Sequence, residues 1–191
     1  MPVTPAANAI VTATDVKSYI KLVGTADDDL INNIINGVST LIENYCAAKF
    51  INQAITEVVD GSGAEIQIVE YCPIAALTEV QYYFDTDSPT IMPLTNFKIN
   101  AKSGLIRDIY SGFPEGWQNI QIKYTAGIGA AIANLPDDLK LAALKQCQFF
   151  YERDSADFSM TFEEGMIIKA PPEMLSPAVK DMLTPYFRAR L

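Results

Sequence analysis

Along residues 27–48 the apolar side chains Leu30, Ile31, Ile34, Ile35, Val38, Leu41, Ile42 and Tyr45 share one helical face, and Asn32, Asn33, Asn36, Ser39 and Glu43 share the other. This i, i+3, i+4, i+7 spacing predicts an amphipathic helix. Thr25 reads as its cap, with Asp28 three residues on, and the run Asp27, Asp28, Asp29 sets negative charge at the positive end of the helix dipole. A shorter helix is expected before it, where Val16, Tyr19, Ile20 and Val23 keep the same spacing, with Thr14 as N-cap and Gly24 as stop. Residues 1–13 contain Pro2, Pro5 and mostly small side chains without a period, and read as an extended arm.

From Phe50 the period changes. Ile55, Val58 and Val59 precede a turn at Asp60-Gly61-Ser62-Gly63, after which Ile66, Ile68 and Tyr71 alternate with other residues, a pattern that predicts a hairpin. Further strand-like runs cover Leu77–Phe84, Phe97–Asn100, Gly104–Tyr110 and Asn119–Tyr124, each bounded by Gly, Pro, Asp or Ser. Helical character returns after Pro136, where Asp137 and Asp138 occupy a first turn and Leu139, Ala142, Ala143, Leu144, Cys147, Phe150 and Tyr151 supply apolar surface to about Arg153. Ser176-Pro177 then reads as N-cap and first-turn proline of a short helix through Val179, Met182 and Leu183, limited by Pro185.

The expected fold class is therefore α+β: a helical core of two N-terminal helices, a long helix after Pro136 and a short C-terminal helix, with an inserted antiparallel β-rich subdomain. The divisions are the arm at 1–13, the first part of the core at 14–49, the β-rich insertion at 50–126, the second part of the core at 127–164, and a C-terminal tail at 165–191. A length of 191 residues suits one core plus an insertion.

Charge and composition narrow the function. The net charge of −9 argues against a surface that neutralises phosphates. Only residues 165–191 are mildly basic, with Lys169, Lys180, Arg188 and Arg190 against Glu173 and Asp181. Cys46, Cys72 and Cys147 are odd in number and widely spaced, which predicts neither a disulfide framework nor a metal motif, and suits a reducing compartment. No signal-peptide pattern and no run of about 18 apolar residues occurs, so neither export nor a membrane span is expected.

The chain has no histidine, which removes Ser-His and Cys-His nucleophile pairs and imidazole metal sites. Carboxylate chemistry is the remaining route. Asp27-Asp28-Asp29 and Asp137-Asp138 sit at helix starts, where capping and dipole effects explain them without a site. Glu163-Glu164 beside Gly165 reads as a solvated turn and fits no calcium loop. Gly127-Ile128-Gly129 lacks the third glycine and the following helix of a dinucleotide fingerprint, and reads instead as a flexible connection. No catalytic, cofactor-binding or metal set emerges, and no cofactor is expected.

The tail is the remaining unusual feature. Met166, Ile167, Ile168, Met174, Leu175, Met182, Tyr186, Phe187 and Leu191 gather apolar residues in a proline-punctuated segment, to be covered either by the chain's own core or by another subunit. Its basic excess favours an acidic partner.

The order of features carries a resemblance. A short helix is followed by a long one ending Glu43-Asn44-Tyr45-Cys46, a β insertion, a strand running into Tyr124-Thr125-Ala126-Gly127, and Pro136-Asp137-Asp138-Leu139-Lys140. An Ala-rich helix then closes on Phe150-Tyr151-Glu152-Arg153, and the chain ends with Leu183-Thr184-Pro185-Tyr186. Over about residues 14–188 this resembles the head-tail connector (adaptor, head completion) proteins of tailed bacteriophages, though the β insertion is longer than in their all-helical members. The resemblance implies a structural, non-enzymatic virion protein, made in the bacterial host cytoplasm and placed at the neck. It implies a homo-oligomeric ring, typically dodecameric, bound to the portal, extending a DNA channel without sequence-specific binding, and offering a surface to a tail-completion or stopper protein. It also implies portal contact through residues 172–191, with Met174, Leu175, Val179, Met182, Leu183, Tyr186, Phe187, Arg188 and Arg190 as the contact set. Two rival readings are another phage neck or tail-completion protein, and a small carboxylate-dependent enzyme or ligand-binding domain in which Glu163 and Glu164 would act.

Overall fold

A computed structural model describes residues 2–83, 88–155 and 174–187, without the side chains of 153–155. The chain forms two compact units, one from residues 1–42 and 136–187 and the other from 43–135.

The first unit is helical, with α1 (Ala13–Ile20), most of α2 (Asp28–Cys46), α3 (Asp137–Ser155) and α4 (Pro177–Leu183). Both α1 and α4 pack on α3. Thr12, rather than Thr14, caps α1: its hydroxyl accepts from the Asp15 N–H while the Asp15 carboxylate accepts from the Thr12 N–H, a complete capping box. The helix stops at Lys21, in the left-handed region at φ 58°, three residues before Gly24. Lys21 makes this stop because its N–H turns back to the carbonyls of Lys17 and Ser18. Thr25 contributes to the start of α2 through its backbone carbonyl, which accepts from the Asp28 N–H at 3.3 Å, rather than through its hydroxyl as the capping pattern suggested.

The extended arm is tied down. Asp29, Asn32, Asn36 and Ser39 form a stripe at helical spacing on α2, and this stripe bonds the arm's backbone. The Val3 N–H donates to Asp29 at 2.8 Å, Asn32 donates to the Val3 carbonyl at 2.7 Å, the Ala6 N–H donates to Asn36 at 2.6 Å and the Ile10 N–H donates to the Ser39 hydroxyl at 3.1 Å. Ala9, Ile10 and Val11 are buried behind it. The polar face of α2 thus serves as a ladder for the backbone of the arm.

The second unit is a two-sheet β structure. A four-stranded sheet has the order β1 (Gln53–Gly61), β7 (Gly116–Ala126), β3 (Ile74–Tyr82), β4 (Thr90–Met92), and a three-stranded sheet has the order β2 (Ile66–Ile68), β6 (Leu105–Asp108), β5 (Phe97–Asn100). All ladders between these strands are antiparallel. Val80 and Tyr82 of β3, Ile120, Ile122 and Tyr124 of β7, Phe97 of β5 and Ile106 of β6 pool with Phe113 in one core. Within it Phe97 stacks on Phe113 at 5.9 Å and Tyr82 meets both rings edge-on.

The hairpin expected at residues 55–68 does not form. β1 pairs with β7 from Gln53↔Ala126 to Val59↔Ile120, while β2 pairs with β6 in the other sheet. The turn at Asp60–Gly63 hands the chain from one sheet to the other, because the long inward-apolar strand β7 takes the place beside β1 that a three-residue β2 cannot hold. Ile66 and Ile68 consequently face outward and Gln67 faces Ile106. Gly61 permits the crossing, since a Cβ there would lie 1.6 Å from the Pro114 carbonyl oxygen. Asn119 locks it, accepting from the Gly61 N–H at 2.9 Å and donating to the Pro114 carbonyl at 3.1 Å. Strand β4, between Pro89 and Pro93, was masked in the sequence by those breakers.

The Gly127-Ile128-Gly129 connection is fixed by hydrogen bonds rather than left free. Ile128 and Gly129 donate to the Phe50 carbonyl, and the Asn52 N–H donates to the Gly129 carbonyl at 2.9 Å. Gly127, at φ 151°, has no room for a side chain, because a Cβ would lie 2.6 Å from the Asn52 nitrogen.

Two predictions follow from this packing. Gly61→Ala should lose more than about 2 kcal/mol of stability through the clash with Pro114. Gly37→Ala, on the open side of α2 with nothing within 4 Å, should gain about 0.5–1 kcal/mol. Urea midpoints of the two variants measure this contrast. Burial, and after it hydrogen bonding to Asp108 and to Glu57, pushes the phenols of Tyr82 and Tyr124 above the usual range. The folded state therefore favours their neutral forms. That stability is fully present below the ordinary tyrosine value of about 10 and is lost as pH rises toward the raised folded values. Circular dichroism during alkaline titration should show the β unit unfolding above about pH 10, with Tyr82→Phe removing part of the dependence.

Candidate docking surface at the C-terminal helix

Helix α4 opens as its sequence predicts, with the Ser176 hydroxyl accepting from the Val179 N–H at 3.4 Å and Pro177 in the first turn. Val179 and Leu183, four residues apart, share one face of α4, and both are buried, as is Leu175 just before the cap. Each contributes about 1.5–3 kcal/mol by leaving water. The segment is positioned by a residue that periodicity does not single out. Gln146, wholly buried on α3, donates to the Met174 carbonyl at 2.9 Å and accepts from the Ser176 N–H at 3.2 Å. A buried carboxamide satisfied on both sides fixes where α4 begins. Its only sequence signal is a polar side chain on the apolar face of α3.

The nine residues of the expected contact set therefore divide. Leu175, Val179 and Leu183 belong to the chain's own core. Met174 is 69% exposed and Phe187 56% exposed, and Met182 and Tyr186 are half-buried beside them. Tyr186 is held in place by donating its hydroxyl to Asp138 at 2.6 Å. Arg188 and Arg190 lie outside the described residues, as do Met166, Ile167, Ile168 and Leu191. The segment around α4 thus offers two exposed apolar side chains, Met174 and Phe187, and two partly covered ones, Met182 and Tyr186.

The aspartate clusters have structural partners. Asp27 accepts from the Tyr151 hydroxyl at 2.9 Å, Asp28 is ion-paired with Lys17, and Asp29 holds the arm. Asp137 pairs with Lys140 at 2.7 Å, and Asp138 accepts from Tyr186 and from the Leu139 N–H. The Asp27 carboxylate raises the Tyr151 phenol, and Lys140 lowers the Asp137 carboxyl. Burial pushes the thiols of Cys46 and Cys147 up to about 12, far from a nucleophile's range. Among the described residues no group of acidic or cysteine side chains is placed to hold a metal ion, and no helix is long and apolar enough to cross a membrane. Glu163 and Glu164 lie outside the described residues.

Substitution should separate the two faces of α4. Leu183→Ala is expected to cost about 2–5 kcal/mol in urea unfolding. Met174→Ala and Phe187→Ala should stay within about 0.5 kcal/mol of the parent chain.

The sequence profile described as head completion protein matches residues 9–189. No curated protein sequence matches the chain. Among solved structures, a chain from the neck of an empty GTA particle computed with C6 symmetry is similar, with TM-score 0.73 and 16% identity over 100% of this chain and 96% of that one. A chain from the virion of a native gene transfer agent (GTA) particle has TM-score 0.72 and 17% identity, with the same coverage. A third, from the neck of a native GTA particle computed with C12 symmetry, has TM-score 0.71 and 15% identity, again over 100% of this chain and 96% of that one.

Proposed function

Because this chain belongs to the head completion protein family, we propose that its copies close into a ring at the neck of a tailed-phage virion, extending the DNA channel beneath the portal. Its role is structural, that of a head-tail connector. The observation that carries the reading is the family match over residues 9–189, which takes in both compact units. A ring of twelve suits similarity to chains from necks computed with C12 and with C6 symmetry, since a twelvefold ring also obeys sixfold symmetry. The net charge of −9 would let DNA slide through such a ring without adhering. The absence of histidine and the high pKa values of Cys46 and Cys147 favour a protein without catalysis.

Portal contact falls to the exposed part of the C-terminal segment, Met174, Met182, Tyr186 and Phe187, together with Arg188 and Arg190. Leu175, Val179 and Leu183 support it from below. A tail-completion or stopper protein would occupy another face. Electron microscopy of the purified chain, alone and with portal protein, should show closed rings, and their absence under both conditions counts against the reading. In a pull-down, Phe187→Ala should weaken portal binding and truncation before Pro172 should abolish it. Undiminished binding by the truncated chain would move the portal contact elsewhere.

A further inference from the structure

We propose that the loop joining β6 to β7 together with the first two residues of β7, residues 109–117, is a second docking surface, shaped to receive a basic face of a different protein. This segment presents the chain's single tryptophan, Trp117 at the start of β7, at 79% exposure and Tyr110 of the loop at 76%. Tryptophan and tyrosine are the residue types that most often anchor protein interfaces.

These rings stand on a preset backbone. The buried Asp108 carboxylate accepts from the Tyr110 N–H at 3.0 Å, from the Ser111 N–H at 3.4 Å and from the Ser111 hydroxyl at 3.3 Å, while a further tie, the Tyr82 hydroxyl at 3.0 Å, reaches into the core. On the far side of the loop Asp60 accepts from the Gln118 N–H at 2.7 Å. Gln118 itself sits at φ 48°, a left-handed conformation that a glutamine adopts only when its surroundings hold it there. Between these ends the Phe113 N–H donates to the Ala64 carbonyl at 2.9 Å, and Asn119 clamps Pro114 and Gly61. Two large rings are held outward by a framework that leaves little conformational entropy to lose on binding.

Charge selects the occupant. Asp60, Glu65 and Glu115 surround the loop and are exposed. Glu65 is paired with Arg107 at 2.7 Å, whereas among the described residues no ion pair involves Asp60 or Glu115. The acidic body of a second copy, residues 1–164, would bring like charge to this rim. A face bearing Lys or Arg would pair with the carboxylates and set a cation over the indole. The surface belongs to the β unit, whereas Met174, Met182, Tyr186 and Phe187, assigned to the portal, belong to the helical one.

Hydroxyl-radical footprinting of the native chain tests this, with oxidation of Trp117 and Tyr110 read by mass spectrometry in three samples: free chain, purified rings and intact particles. Both residues should oxidise readily in free chain and in rings, and about tenfold or more slowly in particles, as expected of an interface core that excludes water. Carbodiimide coupling in the same particles should join Asp60 or Glu115 to a lysine of another protein. Protection of Trp117 already in rings of the chain alone, or coupling to a lysine of a second copy, would make the loop a contact between copies and overturn the proposal. So would full oxidation in intact particles. Ring closure is imaged separately, so failure of the ring reading and failure of this one are distinguishable.

Discussion

The entry and exit of the β unit are bonded to each other, and the rest of the fold depends on that clamp. A long excursion out of a helical unit is tolerated only if its two ends lie together. Here Ile128 and Gly129 donate to the Phe50 carbonyl, Asn52 donates back to Gly129, and Gln53 then pairs with Ala126 at the start of the β1–β7 ladder. The approach is so close that residue 127 has no space for a Cβ. With the ends clamped, residues 1–42 and 136–187 assemble as though joined directly, and the β unit builds its own core.

Within the helical unit, polar side chains make as many structural decisions as apolar ones. The stripe on α2 satisfies the backbone of an arm with no secondary structure, and Gln146 does the same for the approach to α4. Each case follows one rule: a buried or docked backbone needs partners, and where no ladder supplies them side-chain amides and carboxylates do. Asp27, Asp29 and Asp138 thereby become joints between segments distant in sequence, rather than helix-start decoration alone.

The two units carry surfaces of different character. On the helical unit, Met174 and Phe187 stand exposed on either side of a helix whose Val179 and Leu183 are buried in the core. On the β unit, an acidic segment presents Trp117 and Tyr110 from a hydrogen-bonded frame. On the proposed reading, an apolar surface and an aromatic, acidic one would give each neighbour of a connector its own recognition chemistry.

The sequence by itself determined the α+β class, the α2 helix, the start of α3 after Pro136, the Ser176-Pro177 opening of α4 and the absence of histidine chemistry. These are local properties, set by side-chain period and capping within a few residues. It did not reveal that Thr12 rather than Thr14 caps α1, because two candidate caps two residues apart are separated only by which hydroxyl meets an N–H. It could not reveal that β1 pairs with β7 instead of β2, since a turn signal speaks for the nearest strand and the competing ladder lies some sixty residues away. The division of the tail into core-facing Leu175, Val179 and Leu183 and outward Met174 and Phe187 was likewise decided only by tertiary structure. Apolar residues in a short helix state that a surface must be covered; which side α3 covers is settled by where Gln146 anchors the chain.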